Sequence, residues 1–163
     1  MASKKPIKFA SRMTENWFTN NNFAFLAKRK SAYIFSSILI LLGVASLATA
    51  LDFTGKRNKV VTTDNEFPTI GQIWHAQEKR GAKVIHVPSK EDLTVDLSAL
   101  LNAIDEETLI VSVTHVCFRN GTMTELEPII EAAHKVGALV LVDAYQSVGA
   151  IPIDLSKLKT DFL

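Results

Sequence analysis

Leu139-Val140-Leu141-Val142-Asp143-Ala144-Tyr145-Gln146-Ser147-Val148-Gly149 is the stretch that decides the fold. Four apolar residues run into a carboxylate, and a short polar turn closed by glycine follows. An uninterrupted apolar run of this kind suits a strand of a parallel sheet that is covered on both faces. In such sheets ligands bind outside the carboxyl ends of the strands, and Asp143 falls at that end. A carboxylate buried there is costly unless it meets a positive partner or good donors.

Working outward, strands and helices alternate. Lys59-Val60-Val61-Thr62 reads as a short strand, and Thr69 to Arg80 as a helix stopped by Gly81. Lys83 to Val87 is the next strand, closed by Pro88. Val95 to Ile104 is a helix with Leu97, Leu100, Leu101 and Ile104 on one face. Leu109 to Thr114 is a third strand. Glu125 to Val136 is a helix with Pro128 in its first turn and Gly137 after its end. Leu139 to Asp143 is the fourth strand, and Asp154 to Lys159 a last helical turn. This order implies right-handed βαβ units and a mainly parallel α/β sheet.

The front of the chain belongs to another physical class. Residues 1–31 hold seven Lys/Arg against the single acid Glu15, a charge of +6, while the whole chain of 163 residues carries only +1. Ala32 to Leu51 is then twenty residues without a charge. As a helix that length spans roughly 30 Å, the hydrocarbon thickness of a bilayer. Lys28-Arg29-Lys30 precedes it directly, with Trp17, Phe18, Phe23 and Phe25 upstream, as in an interfacial anchor. The expectation is a single transmembrane pass, with a buried core helix and a secretory signal ending at Ala48-Thr49-Ala50 as alternatives. The expected divisions are a basic segment 1–31, a membrane helix 32–51, a junction 52–58 and an α/β domain 59–163. The single cysteine, Cys117, excludes an intrachain disulfide framework and offers no zinc spacing.

Two resemblances follow from particular residues. Phe25-Leu26-Ala27-Lys28-Arg29-Lys30, the apolar run and Leu51-Asp52-Phe53-Thr54-Gly55 resemble the N-terminus of SecF, a subunit of the bacterial protein-export machinery. That resemblance implies the bacterial inner membrane, a lipid bilayer as partner and, as the alternative function, a link to export or a membrane-anchored interaction domain. Lys56 stands where that family has a second glycine.

The second resemblance covers residues 57–163. Asn65-Glu66-Phe67-Pro68-Thr69, Thr114-His115-Val116 with Phe118-Arg119-Asn120-Gly121, and Val142 to Gly149 resemble fold-type I pyridoxal-phosphate enzymes, on the kynureninase-like side of the class V aminotransferases. The resemblance implies part of that family's large domain, with pyridoxal phosphate as cofactor. By the same resemblance Asp143 pairs with the pyridine nitrogen and keeps it protonated, so that the ring can absorb electrons. Gln146 lies near the ring hydroxyl. Phe67-Pro68-Thr69 packs against and positions the ring, and Thr114 contacts the cofactor. His115 and Arg119 are near enough to touch substrate, with no role carried over.

Two parts of the family's chemistry are not found. The lysine that holds the cofactor as a Schiff base follows a further strand, which begins here as Asp161-Phe162-Leu163. The glycine- and threonine-bearing phosphate loop lies upstream of Arg57, where this chain has its apolar run. The expected protein is therefore a partial domain without activity alone and with no catalytic residue of its own, and the join near Gly55–Arg57 reads as a chimera, truncation or artificial sequence. No metal site and no nucleic-acid partner are expected. Self-association through uncovered sheet surface is. His75, His86 and His134 read as surface or helix-face residues, Trp74 as core packing and Cys117 as a small buried or half-buried side chain.

Overall fold

The computed structural model describes residues 25–163. The basic and aromatic residues Lys4 to Phe23 therefore lie outside the described residues. The chain divides into two units, residues 1–40 and 41–163. Helix α1 (Phe25–Ala50) supplies the described part of the first unit and, with its last ten residues, enters the second.

The second unit is built on four parallel strands, β1 (Lys59–Thr63), β2 (Lys83–Val87), β3 (Thr108–Thr114) and β4 (Leu139–Asp143), in the order β2-β1-β3-β4. Between them lie α2 (Pro68–Ala76) with a 3-10 turn (Gln77–Arg80), α3 (Leu97–Ala103) and α4 (Leu126–Lys135). The short α5 (Leu155–Leu158) comes last. Each predicted element is present. Ends differ where a cap intervenes. Asp96 accepts the amide of Ala99 and so starts α3 two residues later than the apolar pattern, because Val95 is engaged in an isolated bridge with Ser89.

Side chains alternate across a strand, and two cores form on the two faces. Val61, Val111, Val113, Val140 and Val142 face Leu100, Leu126, Ile129 and Ala133 of α3 and α4. Val60, Ile110 and Leu141 face the other way, toward Ile70 and Trp74 of α2, Phe53, and Ala48 near the end of α1. Trp74 is a core residue, as expected, and is fully buried.

The expectation of a membrane pass through residues 32–51 is corrected. Among the described residues no helix is long and apolar enough to cross a membrane. The end of the apolar run has another use. Ala48 is fully buried, and Val44, Leu47 and Leu51 pack against the same cluster as Trp74 and Phe53. Arg80 then ties down the end of the helix. Its Nη1 donates to the carbonyl of Ala48 at 3.2 Å, and its Nη2 to those of Thr49 and Leu51 at 3.0 and 3.1 Å. Carbonyls at a helix end have no partner within the helix, and a cation suits the negative end of the helix dipole. Gln77 Oε1 holds the guanidinium from behind at 2.7 Å. The turn that presents Arg80 needs Gly81, whose φ is 102° and whose missing Cβ would meet the Phe53 carbonyl oxygen at 2.9 Å.

Arg80→Ala should destabilise the fold by about 1–2 kcal/mol, the usual range for losing charge-assisted bonds at a partly exposed helix end. Arg80→Lys should recover less than half of that, because one ammonium cannot reach three carbonyls in a fixed fork. Urea unfolding midpoints of the parent and the two variants check this; equal midpoints for the parent and Arg80→Ala would contradict it.

Candidate functional site

All four strands end at one edge, so their last residues and the following loops share one surface. β3 and β4 pair with Thr114 opposite Asp143. β1 and β3 pair with Thr62 opposite Ser112. By strand alternation Thr62, Ser112, Thr114 and Asp143 continue the face that begins with Val60, Ile110 and Leu141. That face is apolar where α1 and α2 cover it and polar toward the carboxyl edge.

Three loops converge there. After β1, Asp64-Asn65-Glu66-Phe67 leads into α2. Glu66 is buried, and its Oε1 accepts the amide of Thr114 at 2.6 Å and the hydroxyl of Thr63 at 3.4 Å. Asn65 is held by donation to the Leu93 carbonyl at 2.9 Å and acceptance from Ser89 at 2.6 Å. After β3, residues 115–124 form a small hairpin, with Cys117 N–H donating to Thr122 and Thr124 N–H to His115. Phe118 of this hairpin meets Phe67 edge to face, centroids 5.1 Å apart, and the Arg119 guanidinium lies 5.4 Å from the Phe118 ring centre. After β4, the Asp143 carbonyl accepts the His115 amide at 2.9 Å, and Asp143 Oδ1 accepts the Tyr145 amide at 2.9 Å. Asp143 Oδ2 has no protein partner among the described residues. The three motifs quoted from the sequence are thus joined to one another by hydrogen bonds, register and an aromatic pair.

The electrostatics single out Glu66. Loss of water raises its carboxyl well above the ordinary value of 4.5, and the nearby Asp143 pushes it the same way. The Thr114 amide and the Thr63 hydroxyl act against this but do not outweigh it. Among the described residues Glu66 Oε2 is buried with no partner, as is Thr62 Oγ1. An unpartnered buried oxygen beside a carboxylate is what a polar ligand at this edge would satisfy. Sequence reasoning quoted Glu66 inside its motif but gave it no role. The signal was available: a glutamate between Asn and Phe at a strand end has no solvated helix face to occupy.

The sequence-predicted residues divide by position. Asp143 and Thr114 stand side by side at the edge, Thr114 buried and Asp143 half-buried. Phe67, Pro68 and Gln146 are exposed and Thr69 is half-buried in the first turn of α2. His115 goes elsewhere. It alternates with Thr114 and lines a cavity of about 420 Å³ with Thr124, Glu127, Ile153 and Lys157, on the α4 side. Its Nδ1 is buried without a partner among the described residues, and burial holds the imidazole below its ordinary 6.5 against the pull of Glu127. Cys117 is buried, as expected.

The family model for aminotransferase class V matches residues 42–163. An aminotransferase of Bacillus subtilis described as uncharacterized, YcbU, is 33% identical over 146 residues, 90% of this chain and 38% of that protein. The cysteine desulfurase IscS of Proteus mirabilis is 35% identical over 125 residues, 77% of this chain and 30% of that protein. The crystal structure of the cysteine desulfurase CsdA from Escherichia coli superposes with a TM-score of 0.60 at 24% identity, covering 64% of this chain and 26% of that one, a likeness of fold. The chain therefore spans about a third of the length of the curated relatives it matches.

These matches also bear on the front end. An alignment over 146 of 163 residues takes in the apolar run and the Leu51–Gly55 motif, and the family model begins inside that run. The SecF-like reading gains no support. Packing accounts for its motif: Phe53 is 2% exposed in the core, and Asp52 Oδ1 accepts from the amide and hydroxyl of Thr54 at 2.9 and 2.7 Å.

Glu66 makes stability depend on pH in a defined direction. Its carboxyl binds its proton more tightly in the folded chain than in the unfolded one. The stabilisation is complete below 4.5 and is lost as pH rises toward the folded value. Glu66→Gln keeps the acceptor for Thr114 and removes the titration. The variant should match the parent in acid and exceed it at neutral pH, in urea unfolding measured from about pH 4 to 8. Parallel curves across that range would reject the buried neutral carboxyl.

Proposed function

The chain belongs to the aminotransferase class V family, whose members depend on pyridoxal phosphate, and from that premise we propose that its carboxyl edge is a cradle for the ring of this cofactor. The observation that carries the reading is the pairing of Thr114 with Asp143 at the polar end of one sheet face, with an Asp143 oxygen left free of protein donors among the described residues. The residues fit the ring end of the cofactor. An anionic oxygen is available for a protonated ring nitrogen, and a buried, unpartnered Glu66 oxygen lies close by. The bound cofactor supplies an electron sink.

Each residue has a part in that cradle. Asp143 stabilises positive charge on the ring nitrogen, and the Tyr145 amide orients its carboxylate. The Thr114 backbone is fixed through its own amide by Glu66, and its hydroxyl donates to the Val116 carbonyl at 3.3 Å. Phe67, braced edge-on by Phe118, offers an aromatic surface for the ring, with Pro68 and Thr69 setting its height as the helix begins. Gln146, exposed in the turn after β4, offers an amide to the ring hydroxyl.

The phosphate end is different. Before Arg57 the described residues are helix α1 and an irregular stretch from Leu51 to Lys56, in which the Thr54 amide and hydroxyl are both taken by Asp52. The residue that would hold the cofactor covalently is expected after the strand that starts at Phe162. The role assigned to the described residues is recognition of the ring. For the assembled enzyme the substrate class is an α-amino acid, in keeping with the kynureninase-like Thr114–Gly121 motif and with the aminotransferase and cysteine desulfurase names of the relatives.

Pyridoxamine phosphate is the suitable probe, because it lacks the aldehyde that would react with surface lysines. Its fluorescence should change saturably on titration with the full chain. Asp143→Ala should weaken that binding by about 10–100-fold, the value of one charge-assisted hydrogen bond. A fluorescence trace identical to the free compound, or one unchanged by Asp143→Ala, would refute the cradle.

A further inference from the structure

Away from the cradle, two histidines meet in a way the sequence does not announce. His75 lies near the end of α2 and His86 on the edge strand β2. Their Nε2 atoms are 3.0 Å apart. The ring planes differ by only 8° while the centroids are 5.0 Å apart. Because the nitrogens are so much closer than the centroids, the rings meet edge to edge through nitrogen rather than face to face. Each far nitrogen has a carboxylate. His75 Nδ1 donates to Glu78 Oε1 at 3.1 Å, and His86 Nδ1 lies 3.3 Å from Asp64 Oδ1. Those carboxylates favour the proton on Nδ1 in both rings. Both Nε2 lone pairs are then directed into the same small space, where one cation can satisfy both.

We propose that this pair is a binding site for a first-row divalent cation of the Zn²⁺, Ni²⁺ or Cu²⁺ type. Two bonds of about 2.0–2.1 Å to one zinc ion, at angles from a right angle to tetrahedral, put the nitrogens about 2.8–3.4 Å apart. The observed separation lies in that interval. Neutral imidazole suits these ions, whereas Mg²⁺ and Ca²⁺ prefer oxygen. The Asp64 and Glu78 carboxylates occupy the positions from which outer-shell groups fix the tautomer and raise the basicity of ligating histidines. Among the described residues no group of three or more His, Cys, Asp and Glu is placed to hold a metal. The site thus has two protein ligands, and water completes the shell from the open side, where His75 and His86 side chains are 49% and 32% exposed. The ion takes the two Nε2 lone pairs and gives up two of its own waters to solvent. Its structural effect is to clip α2 to β2, the strand that among the described residues has a neighbour on one side only.

The test uses the full chain, stripped with EDTA and dialysed, without pyridoxal compounds. Titration with Zn²⁺ against a chromophoric chelator should show one saturable site, and Zn²⁺ should raise the melting temperature. The copper-loaded chain should give an electron paramagnetic resonance spectrum with coupling to two nitrogens. The His75→Ala/His86→Ala variant should lose the site and both signatures. Asp64→Asn and Glu78→Gln should each weaken binding by about 10–100-fold while leaving circular dichroism unchanged. His134→Ala should bind as the parent does. Absence of saturable Zn²⁺ binding by the folded parent, or equal binding by the double histidine variant, would overturn the proposal.

Discussion

The hydrogen bond from the Thr114 amide to Glu66 Oε1 is the constraint on which the functional edge depends. It crosses 48 residues of chain and joins the loop after β1 to the last residue of β3. Without it, Thr114 would end its strand with a free amide, and the loop after β1 would lose this tie to β3. The cost is a buried carboxyl. Raising its proton affinity is the less unfavourable solution, since the alternative is two carboxylates facing each other in a poorly hydrated corner. The corner therefore has an uneven pair: a deeply buried Glu66 that organises the loops, and a half-buried Asp143 whose Oδ1 accepts the Tyr145 amide.

Around that bond the sheet divides its roles by strand parity. One face carries Val61, Val111, Val113, Val140 and Val142 and seals against α3 and α4. The other is apolar only at the amino half, where the end of α1, Phe53 and Trp74 cover it. Past Val60, Ile110 and Leu141 it offers Thr62, Ser112, Thr114 and Asp143. The polar end of that face lies past the cover of these helices, and Arg80 holds the end of α1 by its Ala48 and Thr49 carbonyls and the Leu51 carbonyl that follows.

Much of this was legible. Short apolar runs closed by Pro88, or by a polar turn after Asp143, marked the strands, and Gly81 and Gly137 marked helix ends at their positive φ values. The three motifs were read at strand ends, and strand ends in a parallel sheet converge. What hydropathy alone could not give was the fate of Ala32–Leu51. Its end is claimed by distant partners that hydropathy does not show: Val44, Leu47, Ala48 and Leu51 join the cluster of Phe53 and Trp74, and Arg80 binds the carbonyls that follow. The side taken by His115 was accessible in principle, because adjacent residues of a strand point to opposite faces, but proximity in sequence to Thr114 obscured it. The meeting of His75 with His86 was not accessible, since it depends on how α2 lies over β2, and no spacing rule links a helix position to a strand position eleven residues on.

The two margins of the sheet explain where the polar chemistry sits. Beyond β4, Phe162 forms a parallel bridge with Leu141, its amide donating to Val140 and its carbonyl accepting from Val142. Asp161 Oδ2 takes the remaining Val140 amide at 2.8 Å and meets His134 at 2.9 Å. β4 is thus flanked on both sides, and Asp143 sits at the end of a strand that cannot slide. The opposite margin, β2, has one neighbour among the described residues, and three of its five residues are exposed. A bare edge of this kind invites pairing with another chain unless charge or bulk blocks it. Lys83 and His86 supply the charge and the bulk, and His75 reaches over from α2 to meet His86. The same edge that must be kept from pairing is therefore the place where two imidazoles can stand half in water and face each other, whereas the flanked margin is where the carboxylate of Asp143 is held still.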